Sequence, residues 1–337
     1  MRLLVLGGTR FLGPAVVAAA LAAGWEVTTL TRGVSGAPST GVDARTGDRT
    51  TEAGLAVLDR GEWDVCVDTS GFVPRDVLAG ARRLAGRVGH YVFVSSLSVH
   101  PGWPVDPIGS NSPVHDCAPD AGPDDGDYGV LKAGCERAVT AVFGPAATLV
   151  RSGLLIGPRD NTARLSWWLD RIARGGDVVA PAAPDRPMQL IDVRDLATWM
   201  LHCGRSRLAG AYAASSPPGS TTFGQLLACC RRVTGSKATL RWVDDDTLLA
   251  ADVEPWGELP LWLPPEAGRN WWNVDTAAAR AEGLRCRPLL DTVADTWALQ
   301  RVAGMAPSTP RPTAAGSAPA TLSPEKEAAI LAALVSP

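Results

Sequence analysis

The chain has 337 residues, 46% of them hydrophobic and 20% charged, with a formal net charge of −3. This is globular composition, enough for about two domains or one α/β unit with an appended lobe, and it excludes a disordered chain. The slightly acidic balance gives no reason to expect a nucleic acid, and no apolar run is long enough to span a bilayer, so neither nucleic acid nor membrane is an expected partner.

Leu3-Leu4-Val5-Leu6 runs straight into Gly7-Gly8-Thr9-Arg10-Phe11-Leu12-Gly13. Four adjacent apolar residues predict a strand buried on both faces, as a parallel sheet requires. Ala15 to Ala23 is Ala-rich, Pro14 suits an early turn and Gly24 a stop, which predicts a helix. Strand, glycine turn and helix aim free backbone N–H groups at one point, where the helix dipole adds partial positive charge, and a pyrophosphate fits there. Gly7 and Gly13 hold the outer positions of a G-x-x-G-x-x-G spacing, but the middle one is Arg10, which brings a Cβ and a cation. Gly7, Thr9, Arg10, Phe11, Leu12 and Gly13 are therefore the expected dinucleotide cradle, a tight turn without ligand being the alternative.

The second strand, Trp25 to Leu30, closes on Thr31-Arg32-Gly33. A carboxylate at this place would bond the 2′-hydroxyl of the adenosine ribose, and Thr31 stands there instead. With Arg10 and Arg32 within reach of a 2′-phosphate, NADP(H) is favoured over NAD(H), unless Arg32 is only a solvated turn residue. Asp48, in Gly47-Asp48-Arg49, is expected at the end of a short third strand near the adenine. Trp63 to Asp68 reads as a buried fourth strand ending in Thr69-Ser70-Gly71, small residues that let a cofactor lie close. Arg75 to Leu84 reads as a helix and His90 to Val94 as the fifth strand, followed by Ser95 and Ser96. The alternation of strands with helices or loops predicts a parallel sheet with ligands at the strand C-terminal ends, where Thr69, Ser70, Ser95 and Ser96 fall. The expected fold class is α/β, a Rossmann-type doubly wound parallel sheet with a smaller C-terminal substrate lobe.

Tyr128 and Lys132 are four apart, so on a helix they share a face one turn from each other. A protonated Lys beside a Tyr favours the phenolate, which lets the Tyr act as a general acid or base. A hydroxyl such as Ser96 would hold the substrate oxygen while the proton moves. Y-x-x-x-K occurs by chance in many helices, but here a nucleotide turn precedes it and a serine pair closes a strand in between.

Together these stretches resemble the short-chain dehydrogenase/reductase superfamily in its extended branch, which includes NAD-dependent epimerases and dehydratases. The resemblance runs from Met1 to about Asp195. It implies Ser96, Tyr128 and Lys132 as the catalytic trio, with Tyr128 and Lys132 also at the cofactor and Lys132 on the nicotinamide ribose. It likewise implies that Arg151 to Pro158 passes the nicotinamide and opens the substrate lobe, and that Gln189 to Asp195 returns to the core. The turn with Arg10 is similar to that of atypical members, some of them nucleic-acid binders, whereas the retained Tyr128 and Lys132 speak for an enzyme. Sugar-nucleotide 4,6-dehydratases carry an Asp-Glu pair directly after the catalytic hydroxyl, and this chain has Leu97 and Ser98. The expected function is NAD(P)-dependent interconversion of a hydroxyl and a carbonyl on a small polar molecule, a sugar, nucleoside or specialised metabolite. The alternatives are epimerisation or elimination with transient oxidation, and a non-enzymatic nucleotide- or RNA-binding module.

His100 to Asp127, dense in Pro, Gly and Asp, reads as a long loop bordering the catalytic helix, either lining the site or simply solvated. Ser98, His100, Arg159, Trp168 and Arg186 are the expected substrate contacts. For Trp168, on an amphipathic helix, the core is the alternative, and for Arg186 an exposed loop. Trp199 is read as ending a helix begun near Val193, followed by a strand over Ala211 to Ala214. The organisation expected is a dinucleotide-binding unit over 1–160, regained at about 189–215, a substrate lobe mainly over 161–301, a linker over 302–322 and a helix over 323–335 that docks on the body or on a second copy, leaving a homodimer open. Seven cysteines without a C-x-x-C pair and four scattered histidines predict reduced thiols, a cytoplasmic protein and no metal site. The chain opens directly on a core strand, so no signal peptide is expected.

Overall fold

The computed structural model describes residues 1–109, 112–302 and 321–334. Its main sheet takes β1 (Arg2–Leu6), β2 (Glu26–Thr31), β3 (Asp43–Thr46), β4 (Trp63–Asp68), β5 (Val88–Ser96) and β6 (Ala147–Ser152). Four short strands lie outside it, β7 (Leu154–Ile156), β8 (Asp177–Pro181), β9 (Pro187–Met188) and β10 (Leu190–Asp192), before β11 (Gly210–Ala214) completes the edge. The seven strands are parallel in the order β11-β6-β5-β4-β1-β2-β3. The chain moves outward from β1 to β3 and then returns to the other side of β1 with β4. That reversal opens a crevice at the carboxyl ends of β1 and β4, where open α/β sheets take ligands.

The helices of this part are α1 (Leu12–Ala22), α2 (Glu52–Ala56), α3 (Pro74–Leu84) and α4 (Tyr128–Phe143). The apolar run of β1 feeds both faces of the sheet. Leu3 and Val5 belong to the core shared with α1, whereas Leu4 and Leu6 belong to the core under α3 and α4, and all four are at most 1% exposed. Each such side chain contributes about 1.5–3 kcal/mol through burial.

Beyond the sheet lie α5 (Arg164–Ala173), α6 (Val193–Ser206) and α7 (Phe223–Thr234). Helix α6 packs against α1, and it runs past Trp199 rather than ending there. Gly204 does not stop it, because a Cβ at that position would meet Val65 Cγ1 at 2.5 Å; the glycine serves close packing on β4. A separate core in the C-terminal half gathers Leu165, Trp168, Phe223, Leu227 and Trp262. Two small ribbons cover it, β8 with β13 (Thr239–Val243) and β9 with β12 (Thr221–Thr222).

The last described helix, Pro324–Ala333, is capped by Ser323 and docks on this chain's own lobe. Its Glu327 carboxylate accepts from Arg171 Nε at 2.9 and 2.7 Å and from Val179 N at 3.1 Å. Of the linker expected over 302–322, residues 303–320 lie outside the described residues, as does residue 335 of the expected helix. Among the described residues no helix is long and apolar enough to cross a membrane.

Candidate active site

The glycine turn leaves β1 at Gly7, whose φ of +91° and whose contacts both require glycine: a Cβ there would lie 2.8 Å from Ser70 Cβ and from Thr69 Oγ1. A Cβ on Gly13 would meet the Gly7 carbonyl oxygen at 2.1 Å, so α1 starts flush against the strand. Phe11, the N-cap of α1, sits at φ 37°, a conformation rare for a side chain of its size. Between these points the backbone N–H groups of Gly8, Thr9, Arg10 and Phe11 donate to nothing among the described residues. Four unbonded donors at a helix N-terminus form a ready anion cradle.

Thr69 and Ser70 meet the turn from β4, but their hydroxyls are spoken for. Thr69 Oγ1 donates to the Gly7 carbonyl oxygen at 2.6 Å, and Ser70 Oγ accepts from Arg49 Nη1 at 3.0 Å. Beneath them Arg49 holds the buried Asp68 carboxylate through two bonds, at 2.7 and 2.9 Å, and Tyr91 Oη donates to the same carboxylate at 2.8 Å. Burial works to raise the Asp68 pKa, but the Arg49 charge and its hydrogen bonds outweigh it and hold the group below its ordinary value. This pair was not singled out by sequence reading, which chose the neighbouring Asp48. A carboxylate ending a buried-type strand was the available signal, since it needs a partner. Asp48 itself is half-buried and accepts from Thr50 N at 3.0 Å and Thr50 Oγ1 at 2.8 Å. These bonds lower its pKa, with a smaller contribution from Arg32. Arg10 and Arg32 are exposed, and neither side chain makes a hydrogen bond among the described residues.

Asp127 caps α4 by accepting from Val130 N, which makes Tyr128 the first helical residue. Lys132, one turn on, is 3% exposed, and its Nζ donates to the Gly71 carbonyl at 2.8 Å and to the Val94 carbonyl at 2.5 Å. The Phe93 ring lies under it at 4.4 Å. Gly129 allows the helix to touch the Ser96–Ser98 turn, because a Cβ there would lie 2.2 Å from the Ser98 carbonyl oxygen. Ser96 Oγ accepts from Ser98 N at 3.1 Å and donates to Ser98 Oγ at 3.2 Å. Tyr128 is 36% exposed, and its hydroxyl bonds to nothing among the described residues.

Several expected contacts fall elsewhere. Ser95 faces away from Ser96, as strand alternation dictates, and its hydroxyl donates to Glu136 Oε1 at 2.6 Å. Glu136 is in turn held by Arg151, at 3.0 and 2.8 Å, and Arg151 Nη1 reaches His100 Nε2 at 3.4 Å. His100 is thus a buried tether for the loop that follows it, its Nδ1 bonded to the Pro113 carbonyl at 2.9 Å, rather than an open substrate contact. Trp168 is fully buried with its indole N–H on the Pro260 carbonyl at 2.8 Å, so it is lobe core. Arg186 is engaged with Asp245, at 3.0 and 2.5 Å, and does not offer a free cation. Arg159 is exposed at φ 68° without a side-chain partner among the described residues.

No family model and no curated protein matches the sequence. Solved structures do match in shape. WbmH of Bordetella bronchiseptica, in complex with NAD+, superposes with a TM-score of 0.68 at 16% identity, over 90% of this chain and 99% of that one. The UDP-glucose 4-epimerase of Thermotoga maritima, with UDP-glucose, gives 0.66 at 16% identity over 90% and 100%. That of Thermus thermophilus, complexed with NAD, gives 0.62 at 16% over 89% and 99%. The chain shares the fold of these proteins. The likeness extends well past Asp195, where the motifs fade, because it embraces the C-terminal lobe as well as the sheet. At such identity it is the fold that is established.

Proposed function

We propose that this chain binds a nicotinamide dinucleotide across the carboxyl ends of β1 and β4 and interconverts a hydroxyl and a carbonyl on a small polar molecule, such as a sugar, nucleoside or specialised metabolite. The observation that carries the reading is a single juxtaposition. The unbonded N–H groups of Gly8 to Phe11 open on the same sheet edge at which Lys132 is fixed to Gly71 and Val94, with Tyr128 one turn away.

The cradle fits a pyrophosphate: the donors are present and a Cβ at Gly7 or Gly13 would close it. The nicotinamide, when bound, gives or takes the hydride. Tyr128, exposed and unbonded, exchanges the proton of the reacting oxygen. Ser96, its Oγ held by the Ser98 N–H at the tip of β5, turns its hydroxyl proton from Ser98 Oγ to that oxygen and stabilises the charge developing on it. Lys132, its position set by the two carbonyls, supplies a fixed positive charge one helical turn from Tyr128. Ser98, bonded to Ser96 Oγ, orients it.

Within this reading the likeness to 4-epimerases supports a turnover in which the cofactor is retained and the carbonyl is reduced again on the opposite face. Elimination through an Asp-Glu pair is not proposed, since Leu97 and Ser98 stand at that place. NADP(H) is favoured over NAD(H), because Arg10 and Arg32, on the turns after β1 and β2, have no side-chain partner among the described residues and Thr31 stands where a carboxylate would bond the ribose. The seven free cysteines support a cytoplasmic setting.

The test is to denature the purified protein and identify any released nucleotide, then to follow NAD(P)H during turnover with and without Tyr128→Phe. Bound nucleotide without net NAD(P)H change fits the retained-cofactor version, and stoichiometric consumption fits net oxidoreduction. A chain that binds no NAD(P)H but shifts RNA in a gel, unaltered by Tyr128→Phe, is a binding module instead.

A further inference from the structure

Arg164 opens α5 and carries no hydrogen bond or ion pair among the described residues. The other part-buried arginines of the lobe core are satisfied, Arg171 by Glu327 and Arg186 by Asp245. The guanidinium of Arg164 instead lies over an indole, its Cζ 4.8 Å from the Trp256 ring centroid. A cation–π contact uses the charge of a guanidinium without using its N–H donors, and those donors form the fork that takes a carboxylate or phosphate in two parallel bonds. The nearest carboxylate does not fill the fork. Asp160 lies beyond ion-pair distance, its Oδ1 is occupied by Thr162, its Oδ2 is buried without a partner, and burial raises its pKa.

The stack has a direction. Trp256 meets Trp271 at 4.7 Å between ring centroids, and Trp271 meets Trp103 at 4.4 Å. Trp103 belongs to the loop that leaves the Ser96–Ser98 turn, and it packs on the cluster that includes Leu97, the residue after Ser96. That loop is fastened to the Trp-rich segment by Asn270 N donating to the Pro104 carbonyl at 3.0 Å and by Arg269 Nε donating to the Val105 carbonyl at 3.0 Å. An aromatic wall therefore runs from the Leu97 cluster, next to Ser96, across the junction of sheet and lobe, to a cation with no hydrogen bond or ion pair among the described residues. The buried Trp103 Nε1 in this wall also lacks a partner.

We propose that Arg164 anchors an anionic group, carboxylate or phosphate, carried by the substrate at the end remote from the carbon that reacts, with Trp103, Trp271 and Trp256 as the wall along which the remainder lies. The inference rests on the reading of the cleft given above and names the substrate class it takes.

Three of the twelve tryptophans form this wall, so intrinsic fluorescence reports on it. The experiment titrates the full chain with benzoate and, separately, with inorganic phosphate, in the presence of NADP+ to keep phosphate off the glycine turn, and repeats both titrations on Arg164→Gln and Arg164→Lys. A saturable change with benzoate assigns a carboxylate and one with phosphate assigns a phosphate. Arg164→Gln is expected to weaken it about tenfold or more, Arg164→Lys to a smaller extent, with NADPH binding unchanged in both. No saturable change with either anion, or the same affinity in Arg164→Gln, overturns the anchor. Should Arg164→Gln not fold, Arg164→Lys decides, since equal affinity without the planar fork overturns it as well. A protein that fails to bind NADPH yet shows an Arg164-dependent anion response refutes the cleft reading and leaves the anion site standing.

Discussion

Lys132 Nζ donates to the Gly71 carbonyl oxygen at 2.8 Å, which joins the second turn of α4 to the loop after β4, a connection spanning 61 residues of chain. The same ammonium reaches the end of β5 through the Val94 carbonyl. One buried side chain thus holds three elements of the proposed site together, while Tyr128, one turn before it, holds nothing.

That contrast separates chemistry from architecture. Tyr128→Phe is expected to leave the melting temperature within the range of a surface substitution, about 0.5 kcal/mol, and to lower turnover about 10²- to 10⁴-fold. Lys132→Met is expected to lower turnover and to destabilise by about 1–3 kcal/mol, because two buried carbonyls lose their donor. Thermal melts beside activity assays check both, and equal melting losses for the two variants would contradict the geometry.

Asp68 and Arg49 form a buried pair, 0% and 12% exposed at their side chains, so Asp68→Asn should cost about 3–5 kcal/mol by leaving the guanidinium uncompensated. The double variant Asp68→Leu with Arg49→Met should cost less than either single change, measured by urea unfolding.

Acid should act in two stages. His100 is depressed first by burial, opposed by its bond to the Pro113 carbonyl, with Arg151 lowering it further. The unfolded chain therefore takes up a proton first, and stability falls as pH drops below the unfolded value of about 6.5. Asp68 is also depressed, so its contribution is complete above about 4 and drains as pH falls through its lower folded value. Unfolding free energy measured against pH should fall over both windows, and His100→Gln should shrink the upper one without removing it, since burial depresses His90 as well, and should leave the lower one in place.

Cofactor choice is tested at Arg32. Arg32→Ala should weaken NADPH binding about tenfold and leave NADH nearly unchanged, since only the 2′-phosphate uses the guanidinium. Comparable losses for both nucleotides would remove Arg32 from the 2′-phosphate and place it elsewhere on the cofactor.

Glu327 closes the C-terminal helix on the lobe with both residues of its pair about nine-tenths buried, Arg171 at 9% and Glu327 at 10% exposure. Glu327→Ala should destabilise by about 3–5 kcal/mol and expose the helix to proteolysis ahead of the sheet. Limited digestion followed by mass measurement reads this directly.

The sequence by itself determined the doubly wound sheet, the glycine turn and the Tyr128–Lys132 helix face, because each is written in local terms: an unbroken apolar run for a strand buried on both sides, glycines where a Cβ would strike backbone, and a four-residue spacing on one helix. It did not determine which side of β5 Ser95 faces, since a two-residue alternation has no absolute phase until a neighbouring strand is paired. Nor did it tell Arg164 from Arg171 and Arg186. Arg171 finds Glu327 at a separation of 156 residues and Arg186 finds Asp245 at 59, whereas Arg164 finds an indole. Only tertiary structure decides which charges meet, because an ion pair depends on distance in space, and that distance is set by how the lobe core packs around Trp168 and Phe223 rather than by anything adjacent in the chain.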